Sequence, residues 1–591
     1  MQRDLRGFLK ISLLGIVMGG VGTIAAEVLL RLINFTTNLA FYHRISWEAV
    51  SPVGNTLGWT IILLPVIGGV IVGIMARYGS KAIRGHGIPE AMEQIWLHRS
   101  RISPTVTILK PLSTAVSIGT GGPFGAEGPI IATGSAAGSL LGQLFSMTTN
   151  QRKILLACGA AAGMTAIFGT PVASILLAIE LLLFEFSLRS LVPVAFATGC
   201  AALLRVYLHG LVPLFAVAAI THVSSVSFPL YAVIGALVGV ASVFVSRAVY
   251  VVEDLFEKLP VHWMWWPAIG GVVVGIAGYF DSRSLGVGYE NITGILTGSF
   301  STGAIIALGS WKFISWVTAL GSGTSGGTLA PLLTFGGAIG ALLGILANHL
   351  CPSLDINLTI AAAVGMAAMF AGASRAFLTS VIFLFEITHE PQLLLPCLCG
   401  CTLACAVSYL MMRHTIMTEK IARRGIPIPH HYEADIYRHT ACSEAMESNV
   451  QTVPETLSVS ELATRIARWD DPASGLHAFP ILDSKGLLAG VISRGDIFRS
   501  MADGDSAETV LEAGSTELIT VYPDQMLHDA WQKILHHDIG RVPVVSRENP
   551  KKLVGMLFRR NFLAMRQRML HEENTTERGW LSRDPASKPS S

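Results

Sequence analysis

The sequence predicts an all-α polytopic membrane domain followed by a smaller soluble α/β pair, and three observations predict it. Of 591 residues, 51% are apolar, and a mean hydropathy of +0.54 is too high for a soluble or disordered chain. The charge is divided: residues 431–591 hold 41 of the 82 charged residues, whereas 50 of the 59 glycines lie in residues 1–430. Third, the glycine-rich part repeats itself at a fixed spacing. A net charge of +2 leaves no basic field for nucleic acid.

The basic start (Arg3, Arg6, Lys10) leads into an apolar run too long for a signal peptide, and reads as an N-terminus retained in the cytoplasm. Ile11–Leu32, Leu57–Ala76, Phe228–Val249, Trp265–Phe280 and Leu393–Met412 each suit a bilayer core of about 30 Å. Other apolar stretches are broken by Gly and Pro into half-length pieces. Cys397, Cys399, Cys401 and Cys405 spread around one such segment without His or carboxylate neighbours, so they read as small packing residues and not as a metal site.

The repeat aligns Gly125, Pro129, Gly134, Gly138 and Gly142 with Gly327, Pro331, Gly336, Gly340 and Gly344, each 202 positions on. The same register pairs Gly163-Met164 with Gly365-Met366, and four extra residues then bring Pro171…Glu180 onto Phe377…Glu386. Two homologous membrane halves predict a transporter or channel with its substrate at their interface. The two copies open apolar helices with Gly-x-x-Gly-Pro and Gly-x-x-x-Pro, proline sitting where its missing N–H costs nothing. Glycines before them (Gly119, Gly121, Gly122 and Gly321, Gly323, Gly326) leave N–H groups uncovered, which in a membrane demand an acceptor. Helix N-termini meeting at mid-membrane attract an anion by partial charges, without a full charge that would trap it.

A third loop, Gly85-His86-Gly87-Ile88-Pro89-Glu90, completes the set. Gly-x-Gly-Ile-Pro, Gly-x-Glu-Gly-Pro and Gly-x-Leu-x-Pro, in that order, resemble the three selectivity-filter motifs of the CLC chloride channel and transporter family. Arg375-Ala-Phe-Leu-Thr379…Glu386-Ile-Thr388 resembles another stretch of it. The resemblance spans residues 10–425. It implies about eighteen mostly intramembrane helices in two inverted halves, a homodimer with one pore per subunit, and anion contacts from Gly85, His86, Gly87, Ile88, Pro89, Gly125, Ala126, Gly128, Gly327, Thr328, Leu329 and Met417.

Glu127, a carboxylate at an apolar helix start, is expensive unless functional. It is expected to occupy the anion site when ionised and to leave when protonated; by resemblance it is the family's gating glutamate, giving voltage or pH gating. His86 stands where the family commonly has serine, and an imidazole adds a titratable charge. Met417 stands where the family has an anion-contacting tyrosine, and cannot donate that bond. Leu181 stands where family antiporters carry a proton-relaying acid. Nearby Glu180 and Glu185 are the substitutes to test, and channel-like, proton-uncoupled behaviour is favoured. No Walker-type loop, His-Glu-x-x-His or Gly-x-Ser-x-Gly occurs, so no enzyme chemistry is expected.

Beyond Arg423-Arg424-Gly425 the composition turns soluble. Ala478–Phe498 reads strand, turn, strand, helix, and Arg541–Leu563 repeats it, each preceded by a helix (Val459–Trp469 and Met526–His536). This resembles a tandem pair of CBS domains, 431–505 and 506–570, after a membrane domain 1–425. Asn574–Ser591 reads as a disordered end, within a tail from 571. By resemblance, Ser493 and Asp496 fit the Ser/Thr-x-x-Asp pattern of ATP, ADP or AMP binding, whereas Phe558 and Asn561 do not. A scaffold without ligand is the alternative, and no cofactor is required. The reading is chloride or similar small-anion movement across a plasma (inner) membrane, with the soluble pair in the cytoplasm. The alternatives are a Cl⁻/H⁺ antiporter, a fluoride- or nitrate-selective variant, and a membrane-anchored nucleotide sensor with a vestigial pore.

Overall fold

The computed structural model describes residues 2–220, 223, 227–352, 356–424, 437, 440–468, 477–502, 508–574, 576–577 and 580. It divides into a membrane unit, Met1–Ile426 with Thr575–Ser591, and a soluble unit, Pro427–Asn574.

The membrane unit is helical: α1 (Gln2–Tyr42), α2 (Leu63–Tyr78), α3 (Ile88–Leu97), α4 (Pro104–Gly119) and α5 (Glu127–Leu144), then a short strand β1 (Met147–Thr148), α6 (Thr149–Phe168), α7 (Pro171–Leu177) and α8 (Leu188–His209). The second half runs α9 (Phe228–Glu257), α10 (Trp266–Phe280), α11 (Tyr289–Leu296), α12 (Thr302–Gly321), α13 (Leu329–Leu350), α14 (Leu358–Ser374), α15 (Phe377–Thr388), α16 (Leu394–Met411) and α17 (Glu419–Arg423). Among the described residues, eight segments are long and apolar enough to cross a membrane. Their outward faces are apolar as well, with Leu13 and Ile24 of α1 about two-thirds exposed, as a lipid solvent requires. The short helices α3, α7, α11 and α15 are the half-length pieces.

The halves match element by element, with one correction to the register. A methyl on Gly134 of α5 would lie 2.1 Å from the Gly159 carbonyl oxygen, and one on Gly336 of α13 would lie 2.3 Å from that of Gly365. Gly138 and Gly340 meet the Leu155 and Ala361 carbonyls in the same way. Gly365 is therefore the counterpart of Gly159, 206 positions away, and not of Gly163. The four extra residues already lie in α13, which has 22 residues against 18 in α5. Four residues is close to one helical turn, so a sequence slipped by four keeps the same face and disguises the shift.

The soluble unit contains α18 (Cys442–Ala445), β2 (Val453–Pro454), α19 (Val459–Ala467), β3 (Ala478–Leu482), β4 (Leu488–Ser493), α20 (Arg494–Ala502), α21 (Val510–Ala513), α22 (Leu527–His536), β5 (Arg541–Val545), β6 (Leu553–Phe558) and α23 (Arg559–Asn574). β3–β4 and β5–β6 are antiparallel hairpins with equivalent register breaks, between Ile481 and Leu482 and between Val544 and Val545. Each buries its own core: Leu462, Phe479, Ile481 and Ile492 in one, Leu527, Ile534, Val544 and Phe562 in the other. The tail, expected to be irregular throughout, carries a last strand, β7 (Thr576–Glu577), paired antiparallel with β1 of the membrane unit.

Candidate anion site

Four loops converge in the membrane unit. Gly85 and Gly87 precede α3 with φ of +93° and +97°, and Gly121 and Gly323, ahead of α5 and α13, also take positive φ, which only glycine adopts freely. The loops are stitched together by backbone: Gly327 N–H donates to the Gly125 carbonyl at 2.9 Å, and Gly85 N–H to the Thr324 carbonyl at 3.3 Å. A methyl on Gly128 would fall 1.9 Å from the His86 carbonyl oxygen, so α3 and α5 start in backbone contact. Ala126, Thr328 and Leu329 are buried beside them. Pro89 lies in the first turn of α3, where its ring blocks no helical bond.

Glu127 is 1% exposed. Its Oε1 accepts from the Tyr289 hydroxyl at 3.2 Å, while Oε2 is buried without a hydrogen-bond partner. Methyls on Gly125 and Gly327 would lie 1.6 and 2.9 Å from Oε2, so the carboxylate fills the space those glycines leave, at the junction of two helix N-termini. His86 is buried, and its Nδ1 has no partner. Glu90 accepts from Gly87 N–H (2.7 Å) through one oxygen and from Lys420 Nζ (2.9 Å) through the other, tying α17 to the His86 loop. Met417 is fully buried in the turn before α17, which is pinned by Ile416 N–H to the Ala373 carbonyl and by the Tyr250 hydroxyl to the Ile416 carbonyl.

Sequence reasoning missed several residues here. Gly286-Val287-Gly288-Tyr289 repeats Gly85-His86-Gly87-Ile88 at a spacing of 201, again with positive φ at both glycines. Lys110 and Lys312, 202 apart, are fully buried, and each donates to the loop glycine of its half: Lys110 Nζ to the Gly85 carbonyl (2.9 Å) and Lys312 Nζ to that of Gly286 (2.7 Å). Extending the repeat register would have found all of them.

The acid at 180 has a different use from the one considered. Its Oε1 accepts from Leu378 N–H (3.0 Å), and Oε2 from the N–H (3.0 Å) and hydroxyl (2.6 Å) of Thr379, at the start of α15. Glu386 of α15 returns the arrangement, accepting from Val172 and Ala173 N–H at 2.9 and 2.8 Å at the start of α7. The two glutamates are reciprocal helix caps. Leu181 is buried in the π-helical turn Ala178–Leu183. Glu185 pairs with Lys153 at 3.6 Å near the surface.

In the soluble unit, Asp496 Oδ2 accepts from the N–H (2.9 Å) and hydroxyl (2.6 Å) of Ser493, capping α20. Asn561 repeats the cap by accepting from Phe558 N–H (2.7 Å), and its amide donates to Glu447. Hydrogen bonds from Arg560 hold the Glu447 carboxyl below its ordinary range.

Residues 67–409 match the voltage-gated chloride channel family, and residues 442–503 and 510–567 match the CBS domain. The chain is 27% identical to the chloride channel protein CLC-f of Arabidopsis thaliana, over 87% of this chain and 74% of that protein. It is 29% identical to the H⁺/Cl⁻ exchange transporter ClcA of Yersinia pestis, over 70% of this chain and 85% of that one. Its fold resembles the crystal structure of a slow cyanobacterial Cl⁻/H⁺ antiporter (TM-score 0.63, 23% identity, 71% of this chain and 98% of that one).

Proposed function

The chain belongs to the voltage-gated chloride channel family, is an integral membrane protein with paired CBS domains, and takes part in anion transport; we propose that it conducts chloride or a similar small anion without fixed proton coupling, gated by Glu127. The observation that carries this is the Glu127 carboxylate, held at the junction of the α5 and α13 N-termini in the space of two glycines. A carboxylate there competes with a mobile anion for the same partial charges, and protonation removes the competitor. Gly85, His86, Gly87, Ile88, Gly128, Thr328, Leu329 and Met417 are assigned to the rest of the path. Proton-uncoupled conduction is supported by Leu181 in the relay position and by Glu180, whose two oxygens are committed to the α15 cap. The second reading, antiport, is favoured by the exchange activity named for the ClcA relatives.

The protein is read as a homodimer with its N-terminus and soluble unit in the cytoplasm. Its CBS pair is read as a scaffold, since Asp496 already holds Ser493 and would have to give up its cap to take a ribose. Reconstituted Glu127→Gln is expected to keep anion flux while losing nearly all dependence on external pH. A variant with the wild-type pH profile would overturn the gating role. A reversal potential that follows the pH gradient at a fixed ratio would replace conduction by antiport.

A further inference from the structure

The membrane unit holds an arginine cluster that the anion path does not use. Arg152, on the first turns of α6, is 2% exposed, and its Nη2 contacts the Glu577 carboxylate of β7. Arg101 Nη2 donates to the same oxygen, Oε2, at 2.6 Å, and Arg99 Nη1 lies 3.8 Å from Oε1. The ionised groups facing Arg152 are these three, so one carboxylate stands among three guanidiniums. Arg152 Nε and Nη1 remain buried without hydrogen-bond partners, as does the hydroxyl of Ser100 between the other two arginines. Pairing of β7 with β1, and the Trp580 N–H bond to the Gln143 carbonyl (3.1 Å), hold Glu577 in place. Lys10 reaches the neighbouring Ser146 carbonyl, so the cluster lies at the membrane face where α1 begins.

A buried guanidinium with two idle donors is costly, and its fork is shaped for two oxygens of one anion. A single glutamate offers two oxygens and one negative charge; three arginines leave about two positive charges uncompensated. A phosphate monoester brings three terminal oxygens and nearly two charges, matching both deficits. Basic pockets at this depth are also where anionic headgroups are met. We propose that Arg99, Arg101 and Arg152 form a phosphate-monoester site at this face, and that Glu577 is its built-in competitor, closing the site when no phosphate is bound. The phosphate is supplied either by a lipid headgroup or by a soluble molecule.

The test uses the full-length protein in nanodiscs. One arm titrates inositol trisphosphate in solution; the other compares discs containing phosphatidylinositol phosphate with discs of phosphatidylcholine, following tryptophan fluorescence, since Trp580 adjoins the strap. Binding in the first arm alone identifies a soluble source and in the second a lipid headgroup. In whichever arm binds, Glu577→Gln is expected to tighten binding about tenfold, and Arg99→Ala with Arg101→Ala, both exposed and so expendable to folding, to weaken it about tenfold. No binding in either arm, or affinity unmoved by the Glu577 and arginine variants, would overturn the proposal and leave the strap as a structural clasp.

Discussion

The two halves of the membrane unit share a frame and differ in what they hang on it. Gly85 and Gly286, Lys110 and Lys312, Gly125 and Gly327, Glu180 and Glu386 occupy equivalent places and make equivalent bonds. The difference lies in the side chains at the loop tips. Where the first half has Glu127, the second has Leu329; where the first has His86, Ile88 and Glu90, the second has Val287, Tyr289 and Asn291. Tyr289 of one half meets Glu127 of the other at 3.2 Å, and Glu90 alone reaches out to α17. The repeated glycines and lysines build a cavity of converging N–H groups. The unrepeated residues give that cavity a gate and a direction, which a perfectly symmetric site could not have.

The frame should fail equally from either side. Ala at Gly134 or Gly336 drives a methyl against backbone carbonyls that cannot step aside. Each is expected to cost about 3 kcal/mol, the upper end for an overpacked core. Thermal unfolding in detergent should show matched losses; a loss in one variant alone would break the equivalence of the α5–α6 and α13–α14 contacts.

The reciprocal caps come next. Glu180→Gln and Glu386→Gln each weaken bonds to two backbone N–H groups, and are expected to cost about 1–2 kcal/mol each. Neither should change proton movement relative to anion flux. If Glu180→Gln alone abolished a measurable proton flux, the two glutamates would not be equivalent and the relay would run through position 180.

Much of this was legible in the sequence. The composition split, the apolar spans and the 202-residue repeat announced a two-half membrane fold, and the three Gly-Pro loops located the site. What stayed hidden has physical causes. Glu180 looked like a spare acid because a cap donated by a helix nearly two hundred residues away leaves no local pattern. Lys110 and Lys312 looked like ordinary charges in helical stretches, since burial is a tertiary property. The four-residue insertion was placed a helix late because a one-turn slip preserves the face. β7 was missed because two residues of strand, paired with a partner in another part of the chain, carry no periodicity.

His86 and Val287 offer a finer test at matched positions. An imidazole can add a full charge to a site otherwise built of partial ones, and a valine cannot. Chloride binding measured calorimetrically in acid and at neutral pH should tighten toward acid in the wild type, by a few-fold. His86→Ser should abolish that change and Val287→Ser should keep it. The same pH dependence in all three proteins would show that the unpaired Nδ1 does not face the anion.

The soluble unit makes the smallest but cleanest case, because its repeats also differ at one atom pair. Asp496 caps α20 through an oxygen, and Asn561 makes the same cap on α23 while its amide donates to Glu447, which also takes two bonds from Arg560. Those bonds depress the folded pKa of Glu447 below the ordinary glutamate value of about 4.3. The pair therefore stabilises the second repeat at neutral pH, and that contribution disappears as pH falls through the lowered value and Glu447 protonates in the folded state. With Arg560 about half exposed and Glu447 over a third, solvent screening limits the effect to under about 1 kcal/mol. Glu447→Gln should lower the unfolding midpoint of the soluble unit slightly at neutral pH and not at all in strong acid, and added salt should shrink the difference. A loss that persisted in acid would mean that the glutamate acts through packing and the Asn561 amide, and that the two repeats differ in shape more than in charge.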